Sequence, residues 1–207
     1  MRIALIGATG MIGGRVAAEA RSRGHEVTGA ARGGRDGTRA LDASDADAVA
    51  DLAKGQDALV LAVAPPRDGS EPSGPLLEVG RAVLDGLRRA GVRRLVVVGG
   101  AGSLEAAPGT RLVDTPGFPE MYKAEALAQA DLLALIRAEA ADLDWTYISP
   151  AAVIEPGERT GGYRVGGDTL LTDANGDSTI SAEDYAVALV DELEQPKAIG
   201  RRITVAY

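Results

Sequence analysis

Two stretches hold residues whose types and spacing can do chemistry. The first is GATGMIGG, where Gly7, Gly10 and Gly13 fall at every third position directly after the apolar run RIALI. Glycines so spaced between a strand and a helix let the chain turn tightly, bring bare backbone up to a pyrophosphate and pack the helix close to the strand. The first helical turn then offers unpaired N–H groups and a partial positive charge to the phosphates. Gly7, Thr9, Gly10, Met11, Ile12 and Gly13 are therefore the candidate cofactor-binding stretch, with a plain glycine-rich turn as the competing reading. The second stretch is FPEMYKAEA, in which Tyr122 and Lys123 stand side by side. A lysine can activate a tyrosine as a proton donor only if both reach the same atom. Neighbours on a helix point about 100° apart, so an ordinary helix start at Pro119 competes with a catalytic pair.

The elements that must position these residues alternate along the chain. Strand-like runs at 2–7, 26–32, 39–43, 57–65, 93–100 and 144–151 are separated by helical patterns at 11–23, after Ser44 or Asp45, at 76–90 and at 120–141. Near-continuous apolar strands alternating with helices predict an α/β fold with a doubly wound parallel sheet covered on both faces. The loop PPRDGSEPSGP, from Pro65, has no element of its own. After Pro150 the rhythm breaks: glycines 157, 161, 162, 166, 167 and 176 punctuate short pieces such as YRV and TLLTD, before the helix AEDYAVALVDELEQ and the strand RRITVAY. Residues 1–207 read as a single domain in which 151–207 form a small C-terminal cap with the final helix and strand.

The second strand decides which dinucleotide is favoured. A version that binds NAD usually ends this strand in a carboxylate for the ribose 2′-hydroxyl. Here it ends GAAR, with Arg35 and Arg39 following. A guanidinium at Arg32 can bind a 2′-phosphate bidentately where a carboxylate would repel it, which favours NADP(H), with NAD(H) second. A solvated arginine loop is the bland alternative. Asp42 either accepts from the adenine amino group or caps a helix. At AVAP, the small side chains around Ala64 let a cofactor lie against backbone. Ser103 in GGAGSL reads as a donor to a substrate carbonyl or as a loop serine. The SPA turn at Ser149 reads as a main-chain contact for the nicotinamide carboxamide. Trp145 reads as core rather than as a flavin stacker.

Composition narrows the classes. The chain of 207 residues has a net charge of −8 and no cysteine, so a nucleic-acid backbone is disfavoured as a partner and thiolate chemistry is absent. A single histidine, His25, lies in a turn pattern, which removes a histidine-based metal site. DANGDSTISAED superficially resembles a calcium loop, but Ser178 and Asp184 stand at its sixth and twelfth positions, where glycine and glutamate are needed. A turn at Asn175-Gly176 and a helix cap at Ser181 account for it instead. No apolar run approaches the roughly 18 residues that cross a bilayer. Met1 leads straight into a strand, so the expectation is a cytoplasmic protein, and a homo-oligomer is compatible with all of this.

GATGMIGGRVAAEARSRGHEVTGAAR, VVVGGAGSL, YKAEA, LDWTYISPA and ISAEDYAVALVDELE together resemble the NADH-flavin reductase family. These are atypical short-chain dehydrogenase/reductases with an NAD(P)H-binding Rossmann domain, close to NmrA-like proteins. The resemblance runs over nearly the whole chain. It implies hydride transfer from NAD(P)H to a flavin, a quinone or a similar conjugated acceptor, with Lys123 at the nicotinamide ribose. In active short-chain dehydrogenases a tyrosine stands four residues before that lysine. Here the position is Pro119, so the Tyr-x-x-x-Lys pair is missing. The same loss fits an NmrA-like protein that senses NADP(H) without turnover.

Overall fold

The structure, a computed structural model, describes residues 1–35, 37–65 and 70–207. In chain order its elements are β1 (Arg2–Ile6), α1 (Met11–Ser22), β2 (Glu26–Ala31), β3 (Arg39–Ala40), α2 (Ala46–Ala53), β4 (Ala58–Leu61), α3 (Ser73–Ala90) and β5 (Arg94–Val98). A hairpin of β6 (Glu105–Ala107) and β7 (Thr110–Arg111) runs into a 3-10 turn at Leu112–Asp114. Then come α4 (Glu120–Glu139), β8 (Asp144–Ser149), β9 (Val153–Glu155), β10 (Arg164–Gly166), β11 (Thr179–Ser181), α5 (Ala182–Glu194) and β12 (Arg201–Ala206).

Eight strands form one sheet in the order β10-β12-β8-β5-β4-β1-β2-β3. All pairings are parallel except that of β10 with β12. Alternation along each strand sorts the side chains onto two faces. Ala4, Ile6, Leu59, Leu61, Leu95, Val97, Trp145 and Tyr147 join the core under α2, α3 and α4, whereas Ile3, Leu5, Val60, Val96 and Ile148 join the core under α1 and α5. Each fully buried Leu, Ile or Val among them contributes on the order of 1.5–3 kcal/mol. This is the doubly wound Rossmann fold, and Trp145 is 5% exposed within its core.

Local chemistry sets the element ends. Asp45 caps α2 by accepting from the N–H groups of Asp47 and Ala48 at 2.9 and 3.3 Å. The α3 pattern begins three residues earlier than its apolar period suggests, because the Glu71 carboxylate accepts from Ser73 and Gly74 N–H at 2.7 and 2.9 Å. Pro75 is tolerated in that first turn, where its missing donor is not needed. Ser181 caps α5 through Asp184 N–H at 2.9 Å. The expected strand at TLLTD reduces to a single bridge between Thr169 and Glu105. The part of the PPRDGSEPSGP loop from Pro66 to Gly69 lies outside the described residues.

The C-terminal residues are woven into the main body. Helix α5 packs beside α1 in one core, and β12 enters the sheet between β8 and β10. The glycine-rich segment between β8 and α5 carries β10 and a two-stranded parallel ribbon of β9 and β11. The strand order reverses at β1: the chain runs outward through β2 and β3, then returns to β4 on the other side. In open α/β sheets a crevice opens over the carboxyl ends of the strands at such a reversal.

Candidate functional site

The glycine stretch occupies that reversal. Gly7 takes φ +89° as the chain leaves β1, and a Cβ there would lie 2.1 Å from the Ala62 carbonyl oxygen beyond β4. The N–H groups of Gly7 and Ala8 donate to Ala30 O at 2.9 and 3.2 Å, fastening the turn to β2. A Cβ on Gly13 would lie 2.1 Å from Gly7 O, so only glycine lets α1 sit this close to the loop. Gly10 differs from both. It is exposed, its φ of −75° suits any residue, and an added Cβ would meet only Gly7 O, at 3.3 Å. The packing of the protein itself therefore gives little reason for a bare backbone at Gly10.

Gly10 is also the N-cap of α1, where no side chain supplies a capping bond and no acidic residue stands in the first turn. The positive end of the helix is left to whatever occupies the crevice. Thr9 and Met11 are exposed beside it, and Ile12 is half-buried against the α1/α5 core. These residues fit a bound pyrophosphate.

On the β2–β3 side, Arg32 follows β2 directly and is exposed, as are Arg35 and Arg39. Asp42, after β3, accepts from both the hydroxyl and the N–H of Ser44, at 2.6 and 2.9 Å. These bonds, with the Arg32 charge adding to them, hold its carboxyl below the usual range. Both bonds fall on Oδ1, and among the described residues no hydrogen bond reaches Oδ2. Asp42 is not the cap of α2, a role that belongs to Asp45.

On the β4–β5 side, Ala64 is exposed just beyond β4. The turn after β5 is pressed onto its neighbours. A Cβ would lie 2.0 Å from the Tyr147 ring at Gly99, 3.0 Å from Gln129 Cβ at Gly100 and 2.6 Å from Ala126 Cβ at Gly102. Ser103 is half-buried, and its Oγ accepts from Arg202 Nη1 at 2.8 Å. The Arg202 side chain is itself buried, and its Nε donates to Asp168 at 2.7 Å, so Ser103 is tied to the sheet.

Lys123 and Tyr122 lie in the first turn of α4, which starts after Pro119 as N-cap. Both are exposed, and Lys123 Nζ is 3.7 Å from Glu120 Oε2. The expectation at Ser149 concerns main-chain groups of the SPA turn, and its side chain plays no part in it. That side chain is fully buried; its Oγ and the Oγ1 of Thr204, its register partner on β12, have no partner among the described residues. Alternation explains this, because Ser149 shares the inward α4 face with Tyr147 two positions before it.

The residues from Gly7 to Gln195 and one beyond match one family model: residues 7–196 fit the model described as NAD(P)H-binding. The chain belongs to the NAD(P)H-binding family. Members of known structure are similar over their whole length. A candidate exported protein from Burkholderia pseudomallei is 50% identical with a TM-score of 0.90, each chain being covered in full. A candidate epimerase from Bacteroides thetaiotaomicron is 39% identical with a TM-score of 0.89, covering 100% of this chain and 96% of that one. A candidate NADH-flavin reductase from Streptococcus pneumoniae TIGR4 is 37% identical with a TM-score of 0.82, covering 100% and 99%.

Two groups of side chains at this edge carried no sequence signal. Tyr147 and Gln129 pair between β8 and α4, and Arg202 joins Ser103 to Asp168. Their partners lie 18 to 99 residues apart and belong to no short motif. The run of glycines at 99, 100 and 102 was the one legible hint that something bulky lies beneath.

Proposed function

We propose that the protein is an NAD(P)H-dependent oxidoreductase that passes hydride to a flavin, a quinone or a similar flat conjugated acceptor, with NADP(H) preferred to NAD(H). The observation that carries this reading is the uncapped start of α1, where Gly7 in the loop and Gly13 in the helix admit no side chain, placed where the strand order reverses. Main-chain N–H groups from Met11 to Gly13 bind the pyrophosphate, which lies against the bare backbone of Gly10, whose own N–H is held by Gly7 O at 3.0 Å. Arg32 donates to the 2′-phosphate, and Asp42 Oδ2 accepts from the adenine amino group. Ala64 leaves room for the cofactor against the end of β4, and Lys123 donates to the nicotinamide ribose.

When bound, the reduced nicotinamide supplies the hydride, and the protein's task is to hold an acceptor against it at about 3–3.5 Å. Ser103 keeps its own proton while accepting from Arg202, so it can donate to an acceptor carbonyl. Tyr122 and Lys123 point in different directions, and Pro119 stands where a proton-donating tyrosine is needed. That favours acceptors that take their proton from solvent over sugar carbons that need an enzymic acid. The reductase description of the Streptococcus relative supports this class of acceptor; the epimerase description of the Bacteroides relative points to the other.

The test is NADPH oxidation with FMN, riboflavin and a quinone panel. Turnover above the uncatalysed rate supports the reductase. Tight NADPH binding with no turnover on any acceptor hands the assignment to a sensor of the NADP(H) pool. Among the described residues no helix is long and apolar enough to cross a membrane. We place the protein in the cytoplasm, with the pool it would use. Cell fractionation tests this, and recovery outside the cell would agree instead with the description of the Burkholderia relative.

A further inference from the structure

Three chain segments meet beneath the carboxyl edge of β4, β5 and β8, and one buried pair of side chains joins them. Tyr147, in β8, is completely buried. Its hydroxyl donates to Gln129, whose main-chain oxygen lies at 2.9 Å and whose Oε1 lies at 3.1 Å, and it accepts from Gly100 N–H at 3.2 Å. Gln129, in α4, is 7% exposed, and its Nε2 donates to Val63 O just beyond β4 at 3.3 Å. The turn after β5, the exit from β4 and helix α4 are thus tied to β8 through one phenol and one carboxamide. The ring is also a floor: a Cβ at Gly99 would lie 2.0 Å from it, so the β5 turn lies flush on the tyrosine.

Tyr147 is not a displaced proton donor. Burial pushes its phenol well above the usual range, and its hydroxyl is already engaged with α4 and the β5 turn. The cofactor reading gives the pair its purpose. The adenine half lies on the Arg32–Asp42 side of β1, so the nicotinamide half must cross the ends of β4 and β5. We propose that Tyr147 and Gln129 are positioning residues that fix the two strand ends under the nicotinamide half of the cofactor. This inference rests on the dinucleotide assignment above.

Its test separates the two halves of the ligand. NADPH and 2′,5′-ADP, which carries the adenine half alone, are titrated into the unmutated protein, Tyr147→Phe and Gln129→Met, and thermal unfolding of each is recorded. In Tyr147→Phe the ring stays to support Gly99 while the hydroxyl's bonds are lost. The expected result is NADPH binding weakened by about tenfold, the scale of one lost buried hydrogen bond, with 2′,5′-ADP unchanged within about twofold. A purely structural role would lower the melting temperature and weaken both ligands together. Equal weakening, or no change in either, overturns the positioning role while leaving the cofactor assignment intact. If the unmutated protein binds neither ligand, the cofactor assignment fails and takes this inference with it. Gln129→Met decides the matter by the same split if the tyrosine variant does not fold.

Discussion

At the scale of single residues, the site divides into positions the fold needs and positions only a ligand needs. Gly7 and Gly13 are demanded by carbonyls 2.1 Å from their absent Cβ atoms, whereas Arg32 and Tyr122 are exposed. Substituting either exposed residue should therefore have little effect on stability, so that any change reports on function. Arg32→Glu should shift preference from NADP toward NAD by about 1–3 kcal/mol, the scale of a charge-assisted pair, read from calorimetric titration of both cofactors. Equal affinities for the two in the unmutated protein would sink the arginine assignment. Tyr122→Phe should leave turnover within about tenfold, a cost under ~1.4 kcal/mol. A loss of several orders of magnitude would make Tyr122 the proton donor after all. The glycine motif was legible because each glycine answers a local backbone demand. The Tyr147–Gln129 pair was not, since a tyrosine in an apolar strand reads as core until its partner is known. Ser149 shows the same limit: the end of its strand was readable, but which face it occupied depended on register.

At the scale of elements, α1 is tied at its flank to the segment that follows β8. Arg15 donates to Glu183 at 2.5 Å, and Glu183 accepts from Gly157 N–H at 2.7 Å. Glu19, 7% exposed, accepts from Arg159 Nε and Nη2, each at 2.8 Å, and also pairs with Arg23. The Arg159 hydrogen bonds, and then those of Arg23, pull the Glu19 carboxyl down to about 2 despite its burial. A carboxyl depressed in the folded state stabilises above its unfolded pKa and loses that contribution as pH falls through the folded value. From 4.5 to about 2, this amounts to about 3 kcal/mol at most, less what water screens at the exposed Arg159. In urea unfolding, Glu19→Gln should be the less stable protein near neutrality. The gap should close progressively between pH 4.5 and 2. A gap independent of pH would assign the loss to packing rather than charge. The strands and helices of the sheet were legible from apolar runs and period. The β6–β7 hairpin, β9 and β11 were not, because each strand is only two or three residues long, and β9 finds its partner β11 only across the glycine-rich segment.

At the scale of the whole molecule, the doubly wound order brings the end of β2, the glycine loop and the ends of β4 and β5 onto one edge. Residues read separately in the sequence become one crevice only through that order. Lys123, in the first turn of α4, belongs to this edge on the proposed reading; Lys123→Ala should weaken NADPH by about 1–2 kcal/mol while lowering saturated turnover much less. Unchanged affinity would make it a surface lysine paired with Glu120. The net charge of −8 works against polyanionic partners, so a cofactor with several phosphates must be held by local geometry rather than by the overall field. The start of α1 is where that geometry is concentrated, and Gly10 is where it can be probed with least damage to the fold. The most direct measurement is calorimetric titration of NADPH into the unmutated protein and into Gly10→Ala, with a melting temperature for each. The account predicts saturable binding at one site per chain, weakened at least about tenfold by the added methyl, with the melting temperature nearly unchanged. Absence of binding to the unmutated protein, or equal binding to the variant, would contradict it.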